Sequence, residues 1–262
     1  MRVPALCALL CVALVAQDKG VDELTVNPNR PSFANPATTT MAGVAELEFG
    51  LQRTLYPDAS RSEFQSTLVK LGLTGDFELR LGWNGILRTT TPQGDSQSGP
   101  SDPNLGFTWR LLKQDSLGAD VALSYAHKFP QASVTKGLGS GAADDTLVLL
   151  VSKDFGKLHA DFNLLQTWVG QVGGPRIKQP AGALAFTLPI AGPWGIGAEI
   201  YAIGASDAGP RTLATLWNVS YQVSSRLVLD AGFDRGLNSD AARWNYYCGF
   251  TYGLGRFMKA GH

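Results

Sequence analysis

The chain has 262 residues with 22 basic and 22 acidic side chains, so its formal charge is zero and it lacks the basic footprint of a nucleic-acid binder. Charged residues make up 17%, below the roughly 25% usual in water-exposed domains. Beyond the N-terminus no unbroken apolar run reaches the about 18 residues a spanning helix needs, which excludes a helical membrane protein.

Residues 1–16 read as a signal peptide: one Arg, an apolar run from Val3 to Val15, then Ala16 before the polar Gln17, Asp18 and Lys19. Neither Cys7 nor Cys11 follows a small residue, so lipid anchoring is not expected. Cys248 is the one cysteine beyond that segment, and the fold must therefore be stabilised without an intramolecular disulfide. Residues 17–41 carry Pro28, Pro31 and Pro36 and no apolar period. They read as an extended segment that either plugs a lumen or lies as a tail on the periplasmic side.

From 42 to 257 the pattern predicts twelve strands, at 43–55, 62–73, 77–88, 104–113, 118–128, 145–153, 157–168, 180–189, 195–204, 211–222, 226–235 and 243–254, with 258–262 as a C-terminal tail. Most alternate by face: Leu47, Phe49 and Leu51 against Glu46 and Glu48, or Leu227, Leu229, Ala231 and Phe233 against Asp230 and Asp234. Alternation is weak in 62–73 and 145–153, whose facing stays open. Short connections such as TGD, DFG and VSS take turns with long ones such as YPDASR and GLNSDAA. An up-and-down meander with its two ends in different compartments sorts its loops in this way.

Strands of about ten residues suit a tilted membrane span, and an even count returns both termini to one side. Trp83, Trp109, Trp168, Trp194, Trp217 and Trp244 lie near strand ends or on the apolar face, as interfacial girdles require. The expected fold is an all-β, transmembrane antiparallel up-and-down barrel in the bacterial outer membrane.

The stretches NRPSFANPATTT (29–40), AGVAELEFGLQRT, LTGDFELRLGWNG, DPNLGFTWRLL, GLGSGAADD and VSKDFGKL resemble the family of transporters associated with the MetA pathway of phenol degradation, a group of outer-membrane barrels. The resemblance spans most of the chain after the signal peptide and implies transport linked to aromatic catabolism. RWNYYCGFTYGLGRF resembles the closing strand of such barrels, ending in Phe257, although MKAGH follows it.

Alternation assigns Glu46, Glu48, Glu78, Arg80, Arg110, Asp120, His159, Asp161, Glu199, Asp230 and Asp234 to the lumen, where they line or bind whatever passes. A catalytic reading would need Ser152 to join His159 and Asp161, and a hydrogen-bonded lumen network is the preferred account. GLGSG lacks the helix and the Lys-Ser/Thr pair of a phosphate loop, and one Cys with scattered His gives no metal-ligand spacing. The chain is thus expected to be no enzyme and to need no cofactor or metal. Its expected partners are outer-membrane lipid, a small solute and, during biogenesis, the barrel-assembly machinery. The leading reading is a passive channel for small solutes, hydrophobic or aromatic ones among them. The alternatives are a non-conducting structural or adhesive barrel acting through its outer loops, and a secreted soluble β-sandwich binding protein.

Overall fold

Strict alternation lets one strand show apolar side chains to one neighbour and polar ones to another, and here the sheet closes on itself so that the two faces become an outside and an inside. The computed structural model describes residues 24–258; the signal-peptide expectation lies outside them. The barrel wall consists of β1 (Val44–Leu55), β2 (Arg61–Gly72), β3 (Phe77–Trp83), β6 (Pro103–Leu112), β7 (Asp120–Lys128), β8 (Asp144–Phe155), β9 (Leu158–Val169), β10 (Ile177–Ala191), β11 (Trp194–Ile203), β12 (Thr212–Ser224), β13 (Leu227–Gly236) and β14 (Trp244–Arg256). Each pairs antiparallel with its neighbours, and β1 closes the ring by pairing with both β14 and β2.

Two further strands, β4 (Ile86–Thr90) and β5 (Ser96–Pro100), form a hairpin above the wall, β4 taking up the end of the predicted strand 77–88 and β5 lying in what the sequence pattern gives as the loop 89–103. The predicted strand 77–88 is therefore interrupted, at Asn84 and Gly85. Gly85 adopts φ 56°, where a Cβ would be strained. The pairing partner of β2 changes there, from β3 at Thr67–Gly72 to β4 at Arg61–Glu63. Between these stretches Gln65 accepts the Ile86 N–H at 2.9 Å, doing with a side chain what the ladder does elsewhere. A single turn of helix, α1 (Gln114–Leu117), fills the β6–β7 turn.

The wall is apolar outside and polar inside. Trp109 and Trp217 are about half exposed on the outer face, whereas Lys70 and Glu46 are fully buried on the inner one. A secreted soluble sandwich would place these groups the other way round, since large contiguous apolar surface is not left to water; the closed barrel overturns that alternative. Short turns gather at one rim and the longer loops at the other. Trp83, Trp168 and Trp244 stand towards the loop rim and Trp109 and Trp194 towards the turn rim. Trp217 departs from the girdle expectation, because it pairs with Ala198 and Phe233 in mid-wall.

Candidate functional site

Residues 24–41 enter the barrel from the turn rim, where the Val26 N–H donates to the Ser225 carbonyl at 3.0 Å, and return there before β1 begins. Pro28, Pro31 and Pro36 keep this segment extended, so its N–H groups have no helical or sheet partners of their own. Buried amides must nevertheless be paired, and side chains of the wall take them one after another. Glu46 accepts from Asn27 N at 3.2 Å, Glu48 from Asn29 N at 2.8 Å and Glu78 from Thr40 N at 2.7 Å. Glu199 accepts from Phe33 N at 3.0 Å, Ala34 N at 2.7 Å and Ser32 Oγ at 2.7 Å. Asn163 Oδ1 takes Asn35 N and Ser152 Oγ takes Ala37 N, each at 2.7 Å. In the other direction, Asn218 Nδ2 donates to the Pro31 carbonyl at 3.1 Å.

Apolar contact completes the fit. Ala34 packs against Ala183 and Ala185, Ala37 against Ala122 and Leu150, and Phe33 stacks on Tyr201 with ring centroids 4.6 Å apart. Residues 27–40 thus run inside the barrel, held to its wall by these contacts.

Of the eleven residues that alternation assigns to the lumen, Glu46, Glu48, Glu78, Asp161, Glu199, Asp230 and Asp234 are buried inside the barrel, and Arg80 and His159 are partly so. Among them, Glu46, Glu48, Glu78, Arg80, Asp230 and Asp234 are also held by charged or polar partners. Glu46 and Glu48 flank Lys70 at 3.0 and 2.8 Å, and Lys70 Nζ also donates to the Asn27 carbonyl and, at 2.8 Å, to Asn29 Oδ1. Glu78 holds Arg80 at 3.3 Å, and Arg80 reaches Asn35 on the plug. Asp234 accepts from Tyr201 at 2.9 Å and Asn245 at 3.1 Å, and Asp230 meets Arg30 of the plug at 3.3 Å.

Arg110 and Asp120 serve the rim instead. Arg110 donates to Asp76 at 2.9 Å and to the Gly75 carbonyl at 2.8 Å, closing the β2–β3 turn, with Asp120 at 3.7 Å. Partial burial raises the pKa of Asp76, but hydrogen bonds from Arg110 and Lys113 outweigh it and hold the carboxyl below its ordinary range.

His159, Asp161 and Ser152 do come together, but in the wrong order for hydrolysis. Asp161 sits in the middle, 2.5 Å from Ser152 Oγ and 3.0 Å from His159 Nε2, while His159 Nδ1 lies 2.6 Å from Asp154. A nucleophile needs the imidazole beside its hydroxyl. Here the hydroxyl faces a carboxylate and already accepts the Ala37 amide, so the group acts as a hydrogen-bond network.

Sequence reasoning missed Lys70, Asn163, Ser152 as an amide acceptor, and Asn218. Asn163 and Asn218 sit in cleanly alternating strands and were legible as lumenal, but not as amide partners. Lys70 belongs to β2, whose weak alternation hid its facing; the lone basic residue near the end of that strand is the signal that could have anchored it.

The plug leaves a cavity on either side. One of about 640 Å³ opens between the plug and β2–β9 towards the loop rim, lined in part by Leu68, Arg80, Val148 and Leu165. The other, of about 480 Å³, lies below it against β9–β13 and includes His159, Glu199 and Gln222. Asn29, Arg30 and Ser32 border both, so the tip of the plug is the partition between them.

No protein-family model and no curated protein matches the chain. Solved structures do. An outer membrane channel from Pseudomonas putida F1 superposes with a TM-score of 0.63 at 12% identity, over 87% of this chain and 100% of that one. The KdgM porin in complex with disordered oligogalacturonate gives 0.55 at 8% identity, over 80% and 99%. The CymD monoaromatic hydrocarbon channel gives 0.51 at 9% identity, over 83% and 90%. At these identities the likeness is one of fold, and the fold is that of outer-membrane channels and porins.

Proposed function

We propose that this protein is a passive channel of the bacterial outer membrane for small solutes, closed in the conformation described here by its own N-terminal segment. The observation that carries this reading is the pair of cavities on either side of the plug, with Asn29, Arg30 and Ser32 of its tip bordering both: withdrawal of the plug would join them into one path through the barrel. Diffusion along such a path needs neither reaction nor cofactor. The outward face takes outer-membrane lipid, and β14 with Phe257 is the strand the assembly machinery engages. Leu68, Val148 and Leu165 among the polar side chains of the outer cavity favour a solute with a small apolar or aromatic body. The resemblance to transporters of phenol degradation and the fold shared with a monoaromatic hydrocarbon channel support the same solute class.

The test is conductance of the full chain in planar bilayers, with and without Ala34→Pro. Proline removes the amide that Glu199 holds at 2.7 Å and crowds Ala183 and Ala185, so the plug is loosened while the wall is unaltered. The unaltered chain should conduct weakly and the variant several-fold more. Silence of both where a control porin conducts would remove the channel reading.

A further inference from the structure

Arg30, at the tip of the plug, occupies a cradle made entirely of wall groups. Its guanidinium lies over Gly50 of β1 and Gly249 of β14, which are cross-strand partners. A Cβ on either glycine would overlap the guanidinium, so the wall is hollowed for this group. Nη1 donates to Ser66 Oγ at 2.6 Å, and Nη2 to Asp230 Oδ1 at 3.3 Å and the Cys248 carbonyl at 3.4 Å. Acceptors from three strands thus surround a planar cation, with Asp230 supplying the charge from a side chain that is 1% exposed. The Arg30 Nε–H, also buried, has no partner among the described residues: the cradle satisfies the end of the guanidinium and not its stem.

The wall around the cradle favours the same charge. Glu46, Glu48, Glu78, Asp161, Glu199, Asp230 and Asp234 are all buried on the inner face, with Lys70, Arg80 and His159 set among them and Arg110 and Lys128 paired with further carboxylates towards the rims. Much of this negative charge is balanced by plug amides and by Arg30 itself. Once the tip withdraws, the acceptors of the cradle face the path.

We propose that this cradle is a subsite for the guanidinium or primary ammonium head of a small solute, which binds where Arg30 sits in the closed state. The inference rests on the channel reading. A tethered Arg30 competes at an effective concentration on the order of millimolar, so a solute that places one cationic head in the cradle displaces it only at comparable concentrations. With Arg30 replaced, the same solute meets an empty cradle and binds more tightly.

The experiment uses the full chain in planar bilayers carrying potassium current, with agmatine as the probe and tetramethylammonium as a cation that cannot donate hydrogen bonds. Agmatine should block Arg30→Gln at a half-blocking concentration about tenfold or more below that for the unaltered chain, where the tether still competes. Adding Asp230→Asn to Arg30→Gln should abolish that gain, and tetramethylammonium should not reproduce it. Where Arg30→Gln does not insert, Arg30→Lys serves instead, because its ammonium cannot cover all the acceptors at once. Agmatine should then block it several-fold more tightly than the unaltered chain. Equal block with and without Asp230, or equal block by the two cations, overturns the subsite while leaving a conducting channel. No current from any of these chains overturns the channel reading and the subsite together.

Discussion

Lys70 is the residue on which the inner wall turns. Its ammonium is fully buried, and it holds two carboxylates, a plug carbonyl and a plug side chain at once. A buried ion pair gains little over an apolar replacement of the whole pair, but removing one partner strands the other. Lys70→Met leaves Glu46 and Glu48 buried without their cation and should cost about 3–5 kcal/mol. The measurement is the urea midpoint of the protein refolded into detergent or vesicles. The triple variant Lys70→Met, Glu46→Gln, Glu48→Gln should recover a good part of the loss, since no charge is then left unpaired; a triple variant as unstable as the single one would show that packing, not charge, sets the cost.

Among the elements, β2 and its shared partners are the least regular part of the wall. The ladder lapses between the pairing with β4 and that with β3, and Gln65 bridges the lapse through one side-chain hydrogen bond to Ile86. Gln65→Ala leaves the exposed Ile86 amide to water, at a cost of about 0.5–1.5 kcal/mol, the net worth of one hydrogen bond. Hydrogen exchange should show faster opening of β4 and β5 with β9–β12 unchanged; a uniform change around the barrel would contradict a local seam.

The same irregularity decided what the sequence could reveal. In β1 and β13 the acidic side chains share one face and Leu47, Phe49, Leu229, Ala231 and Phe233 the other, so the facing of Glu46, Glu48, Asp230 and Asp234 was legible from period two alone. In β2, Phe64 and Leu68 share the inner face with Lys70 while Glu63 and Gln65 share the outer, and composition no longer tells one face from the other. The β4–β5 hairpin hid behind Gly and Pro residues that also suit a loop. Which wall residue would capture which plug amide could not be read at all, because an N–H is common to nearly every residue and leaves no mark in the sequence.

At the scale of the whole molecule, the barrel is a soluble protein turned inside out, with its carboxylates within and its aromatic and aliphatic side chains without. The cost of a charge on the outer face therefore depends on depth. Trp217→Arg, in mid-wall, should lower the free energy of folding into vesicles by about 2–4 kcal/mol, and Trp83→Arg, near the loop rim, by about 0–1 kcal/mol. Equal costs at the two positions would mean that the outer face does not meet a hydrocarbon layer.

The plug adds a property that neither face has alone. The wall takes hold of backbone amides at Asn27, Asn29, Phe33, Ala34, Asn35, Ala37 and Thr40, and the residues that have no amide to give are Pro28, Pro31 and Pro36. Slide the segment forward by one residue and Pro28 faces Glu46 while Pro36 faces Asn163. Slide it back and the same prolines face Glu48 and Ser152. Either slip leaves two buried acceptors empty, so the prolines work as the missing teeth of a comb: they tell the barrel where the segment begins and ends.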